Sequence, residues 1–366
     1  MERRIPELDG LRALAIGMVV LWHYVGISDP GNLYVIFRLG RSGVDLFFVL
    51  SGFLITSILI ANRDSPTYYK TFYLRRAARI MPAYFALLAA FFAVRAGGGD
   101  PRLIGGEEFN LWTYPVFLHN VEMTRLGAYG PDFLGHTWSL AVEEQFYAVF
   151  PLLVALVPVR RLPLVLLALA CAAPVLRIAA YLWAGYFPAY VLTPMRADSL
   201  AMGGLIAWVM LNWPAWLVTH RTKIRNVFLF MTALIPMIWL IPRHSGEWHM
   251  AVWGHSYYTL LYGAALLWVL CNPGAAWLSP LRTAFAVGLG AISYALYLVH
   301  WPMFRGVFAV FEASPNIRGF EGLALSSLAL ILSLAVAIAC YFLIEQPFIR
   351  LGRRLHYAVQ PGPQIG

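Results

Sequence analysis

Arg12 and His23 stand eleven residues apart in DGLRALAIGMVVLWH, a stretch that is apolar apart from its ends. On a helix that separation is ~16 Å and about three whole turns, so both side chains share one face. An ionisable residue in a membrane-spanning helix is costly and faces a bundle interior or a wet cavity. The plainer reading is that Arg12 snorkels to the headgroups and that His23 is an interfacial residue beside Trp22 and Tyr24. An imidazole in such a cavity is the natural proton acceptor near neutral pH.

Other polar residues interrupt apolar runs in the same way. Asp45 opens GVDLFFVLSGFLI, and a buried carboxylate needs a partner. If the first two spans are antiparallel neighbours, Asp45 falls in the same half of the membrane as His23, where a carboxylate would fix the imidazole tautomer. Ser51 and Gly52, mid-span, read as small residues that let helices approach. In FYLRRAARIMPAY, Arg76 and Arg79 share a helix face and Arg75 nearly does. These arginines read either as topogenic charge bound to anionic lipid or as a phosphate clamp, for which guanidinium forks are suited. HTWSLAVEEQFY sets His136 and Trp138 at an interface and Glu143 and Glu144 deeper. Adjacent helical acids point different ways, so one of the two is expected in a shared cavity, with Tyr147 in reach of Glu143. Arg196 and Asp198 open a later span, and one of them is a candidate to neutralise a carboxylate elsewhere. Ser293, Tyr297 and His300 form a polar stripe at helical spacing, with Pro302 as a kink site.

These residues sit in a 366-residue chain that is 60% hydrophobic and 12% charged, which excludes a soluble globular protein. Apolar segments alternate with short loops, and ten spans are predicted: 10–27, 43–61, 80–95, 138–157, 163–183, 195–211, 226–241, 255–272, 284–305 and 322–345. The expected fold is all-α, a polytopic membrane bundle of about ten transmembrane helices around a central cavity. Lys and Arg number sixteen in the loops on the side of the termini and eight on the other, which places both termini in the cytoplasm. The net charge of +9 is therefore read as topogenic and not as a nucleic-acid footprint. Arg3 and Arg4 precede the first segment without a small-residue cleavage site, so it is expected to be retained. In the longest loop, about 96–135, Phe109, Trp112 and Phe117 are expected to form a short interfacial helix. Cys171, Cys271 and Cys340 have no paired spacing and read as packing residues, with no disulfide framework or metal site expected.

Seven segments together resemble the membrane-bound acyltransferase 3 family: DGLRALAIGMVVLWH with its Arg-x10-His spacing, GVDLFFVLSGFLI, FYLRRAARIMPAY, HTWSLAVEEQFY, RADSLAMG, SYALYLVHWP and EQPF. They span nearly the whole chain in the family's order, and the set is specific where no single piece is. The resemblance implies an acyltransferase 3 transmembrane domain over 1–351, with 352–366 a short cytoplasmic tail. It further implies transfer of an acetyl or other short acyl group from cytoplasmic acyl-CoA to a hydroxyl of a carbohydrate or glycolipid acceptor, in a bacterial-type cytoplasmic membrane. Acetyl-CoA is the expected donor, without a metal. Arg12 and His23 are implied to be essential, and Arg75, Arg76 and Arg79 to bind CoA. His23 then serves as general base, oriented by Asp45 or Glu143, or as a covalent acyl relay. His136, Trp138, Arg196, Tyr297 and His300 are the expected substrate contacts. Some members carry an extra soluble domain at the C-terminus; the acceptor here is expected to be handled by the membrane domain alone or with a separate protein. A transporter or channel that uses the buried charges as a pathway is the rival from another class.

Overall fold

The computed structural model describes residues 5–26, 37–105, 108–240 and 246–358. Arg3, Arg4 and Arg243 of the charge count, the last residues of the first and seventh predicted spans, and the end of the tail lie outside these. Every predicted span contains a helix. They are α1 (Pro6–Leu21, continued by a π-turn at Trp22–Gly26), α2 (Gly43–Ala61, after a 3-10 turn at Arg38–Ser42), α3 (Tyr68–Ala96), α4 (Trp138–Leu156) and α5 (Leu162–Ala184). There follow α6 (Ala197–Asn212), α7 (Arg221–Ala233), α8 (His255–Leu270), α9 (Ser293–Val310) and α10 (Gly319–Cys340). The chain is a polytopic bundle of helices with no strand among the described residues. Six of the helices are long and apolar enough to cross a bilayer, seven if Ala284–Ala291 and α9 count as one bent span. The other predicted spans fall short: α6 and α8 have 16 residues each and α7 has 13, against the ~20 that a crossing needs.

Three local expectations are corrected. First, α3 begins at Tyr68 and runs unbroken for 29 residues, with Pro82 inside it. The predicted span 80–95 therefore starts too late: the three arginines ride on the same helix, which accommodates Pro82 in its interior. Second, the ninth span bends by 70° between Ala284–Ala291 and α9, at Ile292 and not at Pro302, which stays within the helix. Third, Phe109 and Phe117 are buried while Trp112 is 83% exposed. Only a 3-10 turn, Leu111–Thr113, forms there, because the two phenylalanines pack on Tyr114 and Tyr84.

Helix packing follows the small residues. α2 lies along α6 so closely that a Cβ added at Gly52 would sit 1.9 Å from the carbonyl oxygen of Leu200, and one at Gly203 would sit 2.1 Å from that of Val49. Backbone thus meets backbone, the geometry that paired glycines permit in membrane helices. α6 also packs on α5 and α8, α10 on α9, and α1 on α2, α9 and Ala284–Ala291. An apolar core that includes Ile16, Val19, Phe48, Tyr84 and Phe304 fills the spaces. What it leaves open is a polar interior reached by α1, α2, α3, α4 and α9.

Candidate active site

A cavity of about 100 Å³ among the described residues is lined by Arg12, Ser51, Arg76, Arg79, Glu143, Tyr147, Ser293, Tyr294 and Tyr297, among apolar neighbours. Helical phase explains the set: Arg76 and Arg79 are one turn apart on α3, as are Glu143 and Tyr147 on α4. Arg12 Nη1 donates to Asp9 Oδ1 at 3.0 Å. Glu143 lies within electrostatic reach of Arg12, Arg76 and Arg79 and accepts from the Ser51 hydroxyl. Tyr147 joins Ser51 at 2.5 Å and stands under the Arg76 guanidinium at 5.7 Å. The expected Tyr147–Glu143 contact is thus replaced by one through Ser51. Ser51 does more than make room between helices; its neighbour Gly52 does that. Glu144, one residue on, is not part of the cavity wall. Arg75 turns away from it: its Nε donates to the Leu355 carbonyl at 2.8 Å and its guanidinium lies over Tyr357.

The smaller pocket, about 30 Å³, is lined by Val19, Trp22, His23, Arg41, Val44, His136, Trp138, Tyr190 and Tyr297. Val44 and Tyr297 belong to both walls. The Tyr297 hydroxyl donates to the His136 carbonyl and accepts from Ser139 at 2.7 Å, which holds the ring between the two spaces. His23 sits on the π-turn, which carries it past the end of α1. Its Nδ1 lies 2.9 Å from the Val19 carbonyl, and a carbonyl can only accept, so Nδ1 bears the proton and the lone pair is on Nε2. His300 is fixed the same way, with Nδ1 at 2.8 Å from the Tyr297 carbonyl. Its Nε2 is then an acceptor, 3.2 Å from His23 Nδ1. His136 Nε2 lies 3.1 Å from the Leu298 carbonyl. These rings bond to backbone and to one another, and no metal-ligand cluster of His, Cys, Asp or Glu exists among the described residues.

Two carboxylate expectations are corrected. Asp45 belongs to Arg196, whose Nη2 is 2.6 Å from its Oδ1, and His255 lies 3.7 Å away. Glu143 belongs to the arginine-lined cavity. Among the side chains that meet the His23 imidazole are another imidazole, that of His300, and the Trp301 ring. Arg196 lines neither of these two spaces: it is fully buried behind Phe48, Trp138 and Tyr190, each ring within 6 Å of its guanidinium. Beside it Arg177 and Asp198 make a second buried pair at 2.6 Å. A buried guanidinium without its carboxylate would be strongly destabilising, so these residues hold helices together.

With that geometry in view, residues 5–342 match the family described as an acyltransferase domain. The chain belongs to that acyltransferase family. Among its relatives, an O-acetyltransferase OatA of Staphylococcus aureus is 24% identical over 375 residues, covering 96% of this chain and 58% of that protein. A peptidoglycan O-acetyltransferase OatA of Listeria monocytogenes is 30% identical over 357 residues, covering 86% of this chain and 52% of that one. The acyltransferase chain thus spans just over half the length of these curated relatives. No solved structure matches it.

The structure of this acyltransferase adds residues that the sequence left unassigned. Arg41 and Tyr190 join the His23 pocket, and Tyr294 the larger cavity. Arg41 reads in sequence as one more loop charge, and only the 3-10 turn at Arg38–Ser42 swings it inward. Arg177 does carry a signal, an arginine within an apolar run, although no spacing rule names Asp198 as its partner.

Proposed function

We propose that the protein is an integral membrane O-acyltransferase that moves an acetyl or other short acyl group from acyl-CoA to a carbohydrate hydroxyl, with His23 as general base. One observation carries this reading: an arginine-lined cavity and a histidine-lined pocket share Tyr297 and Val44 as a common wall. The larger space suits the donor. Arg76, Arg79 and Arg12 supply guanidinium forks for CoA phosphates, and the apolar remainder of the wall suits a pantetheine arm. The five basic residues between positions 63 and 79, beside an apolar span, support a cytoplasmic side for Arg76 and Arg79, where acyl-CoA is made. The relatives named for peptidoglycan support a cell-wall glycan as acceptor.

In the chemical step the acceptor hydroxyl gives its proton to His23 Nε2 as its oxygen attacks the thioester carbonyl. The new C–O bond forms, the C–S bond breaks, and the thiolate recovers the proton from the imidazolium. Val19 and His300 both engage Nδ1, which keeps Nε2 as the basic nitrogen and stops the ring from turning. Purified protein in lipid nanodiscs, given radiolabelled acetyl-CoA and muropeptides, is expected to release thiol and to label the glycan. A protein that neither binds nor cleaves any acyl-CoA overturns this reading in favour of transport. An acyl-histidine trapped on His23 would replace the direct step by a relay.

A further inference from the structure

Among the described residues, the guanidiniums beside the small pocket do not all have a carboxylate bonded to them. Behind its wall, Arg177 and Arg196 each have a carboxylate, Asp198 and Asp45 respectively, at 2.6 Å. Asp45 feels the charges of Arg196, Asp198, Arg177 and Arg41 together, so these groups form one cluster of three guanidiniums and two carboxylates. Both carboxylates are already taken. Arg41, the third cation, donates through Nη2 to the Tyr186 hydroxyl and stacks near the rings of Tyr186 and Tyr190 at 5.8 and 5.2 Å. No carboxylate of the described residues pairs with it. A guanidinium has five N–H donors in a planar fork, and the half-buried Arg41 leaves donors of that fork for an anion in the pocket.

Arg41 lines the same pocket as His23 and His136. The buried Nδ1 of His136 has no hydrogen-bond partner among the described residues, and because Nε2 faces a carbonyl this nitrogen can only accept. The vacant chemistry of the pocket is therefore a cationic fork beside acceptors for hydroxyl or amide protons. Its volume, about 30 Å³, has room for roughly two waters. A sugar ring does not fit there, whereas a carboxylate and a hydroxyl projecting from one do.

We propose that Arg41 is an anion-binding subsite for the acceptor: the sugar acylated at His23 bears an acidic group, a carboxylate or a phosphate, that Arg41 grips while His136 accepts from a neighbouring donor. This rests on the acyltransferase reading and deepens it by naming the acceptor as an acidic saccharide. Arg41 holds the sugar in place and takes no proton in the reaction.

The test is equilibrium binding of small probes to the purified full chain: N-acetylmuramic acid, its uncharged methyl ester, N-acetylglucosamine and N-acetylglucosamine 1-phosphate. A charge-assisted fork predicts that the acid binds roughly 10- to 100-fold more tightly than its ester. A similar preference for the phosphate over N-acetylglucosamine assigns the grip to phosphate instead. In Arg41→Gln the acid-to-ester ratio should fall to near one, and in Arg41→Lys part of it should return. The ratio is read within a single preparation, so partial misfolding does not mimic the result. Equal binding of charged and uncharged probes, or a ratio unchanged in Arg41→Gln, overturns the subsite. Thiol release from acetyl-CoA by the same preparation is the independent control: its absence removes the acyltransferase reading, and its presence with undiscriminating probes removes only this proposal.

Discussion

The two internal spaces that meet at Tyr297 differ in the charge they hold. The larger sets the long charged side chains of Arg12, Arg76, Arg79 and Glu143, from three different helices, into an otherwise apolar and aromatic wall. The smaller is walled by rings, those of Trp22, His23, His136, Trp138, Tyr190 and Tyr297, with Arg41 as its one cation. His23 and His136, and the adjoining His300, are locked by backbone carbonyls. Long side chains can follow a polyanion that arrives and departs, whereas locked rings keep one nitrogen in one place, as proton transfer requires. On the proposed function the contrast separates holding a donor from running a reaction, and each substitution below should disturb one side and spare the other.

The largest effect should come from His23→Ala. Transfer to the acceptor should fall by about 10² to 10⁴, the usual share of a general base, while acetyl-CoA affinity measured by thermal shift stays near that of the parent. A drop of only a few-fold would make His23 a packing residue. Next stands the support behind the rings. Arg196→Ala leaves Asp45 buried without its cation and should cost about 3–5 kcal/mol, read as loss of thermal stability in detergent. A cost under about 1 kcal/mol would mean that the Asp45–Arg196 pair does not brace this wall.

Smaller changes are expected on the donor side. Arg76→Ala or Arg79→Ala should weaken acetyl-CoA binding by roughly 10- to 150-fold, as for the loss of one charge-assisted contact. Neither should alter the affinity of a pantetheine analogue that lacks phosphates. Arg75→Ala, whose partners are Leu355 and Tyr357, should change donor affinity less than about 3-fold. Equal losses for all three would erase the distinction between cavity and tail arginines. The smallest difference is that between the neighbouring acids. Glu143→Gln should lower turnover on the order of 10-fold, since it removes the anion among Arg12, Arg76 and Arg79. Glu144→Gln, off the cavity wall, should leave turnover nearly unchanged, and the reverse order would move the working carboxylate to Glu144.

The sequence by itself determined what is local. Apolar runs located ten helical segments, and helical period put Arg76 with Arg79 and Glu143 with Tyr147 on common faces. Intramembrane cost marked Arg12, His23 and Asp45 as residues that need a wet cavity or a partner. It could not choose those partners. Asp45 finds Arg196 at a separation of 151 residues, and His23 finds His300 at 277, because helices meet where their small residues allow it. Gly52 and Gly203 bring α2 against α6 and so bring Asp45 to Arg196. Nor could the period show that α3 runs through Pro82, or that the tail captures Arg75. Periodicity fixes which way a side chain points from its own helix. Only the packing of helices decides what stands opposite, and here that separated an arginine-lined cavity from a ring-walled pocket that holds Arg41.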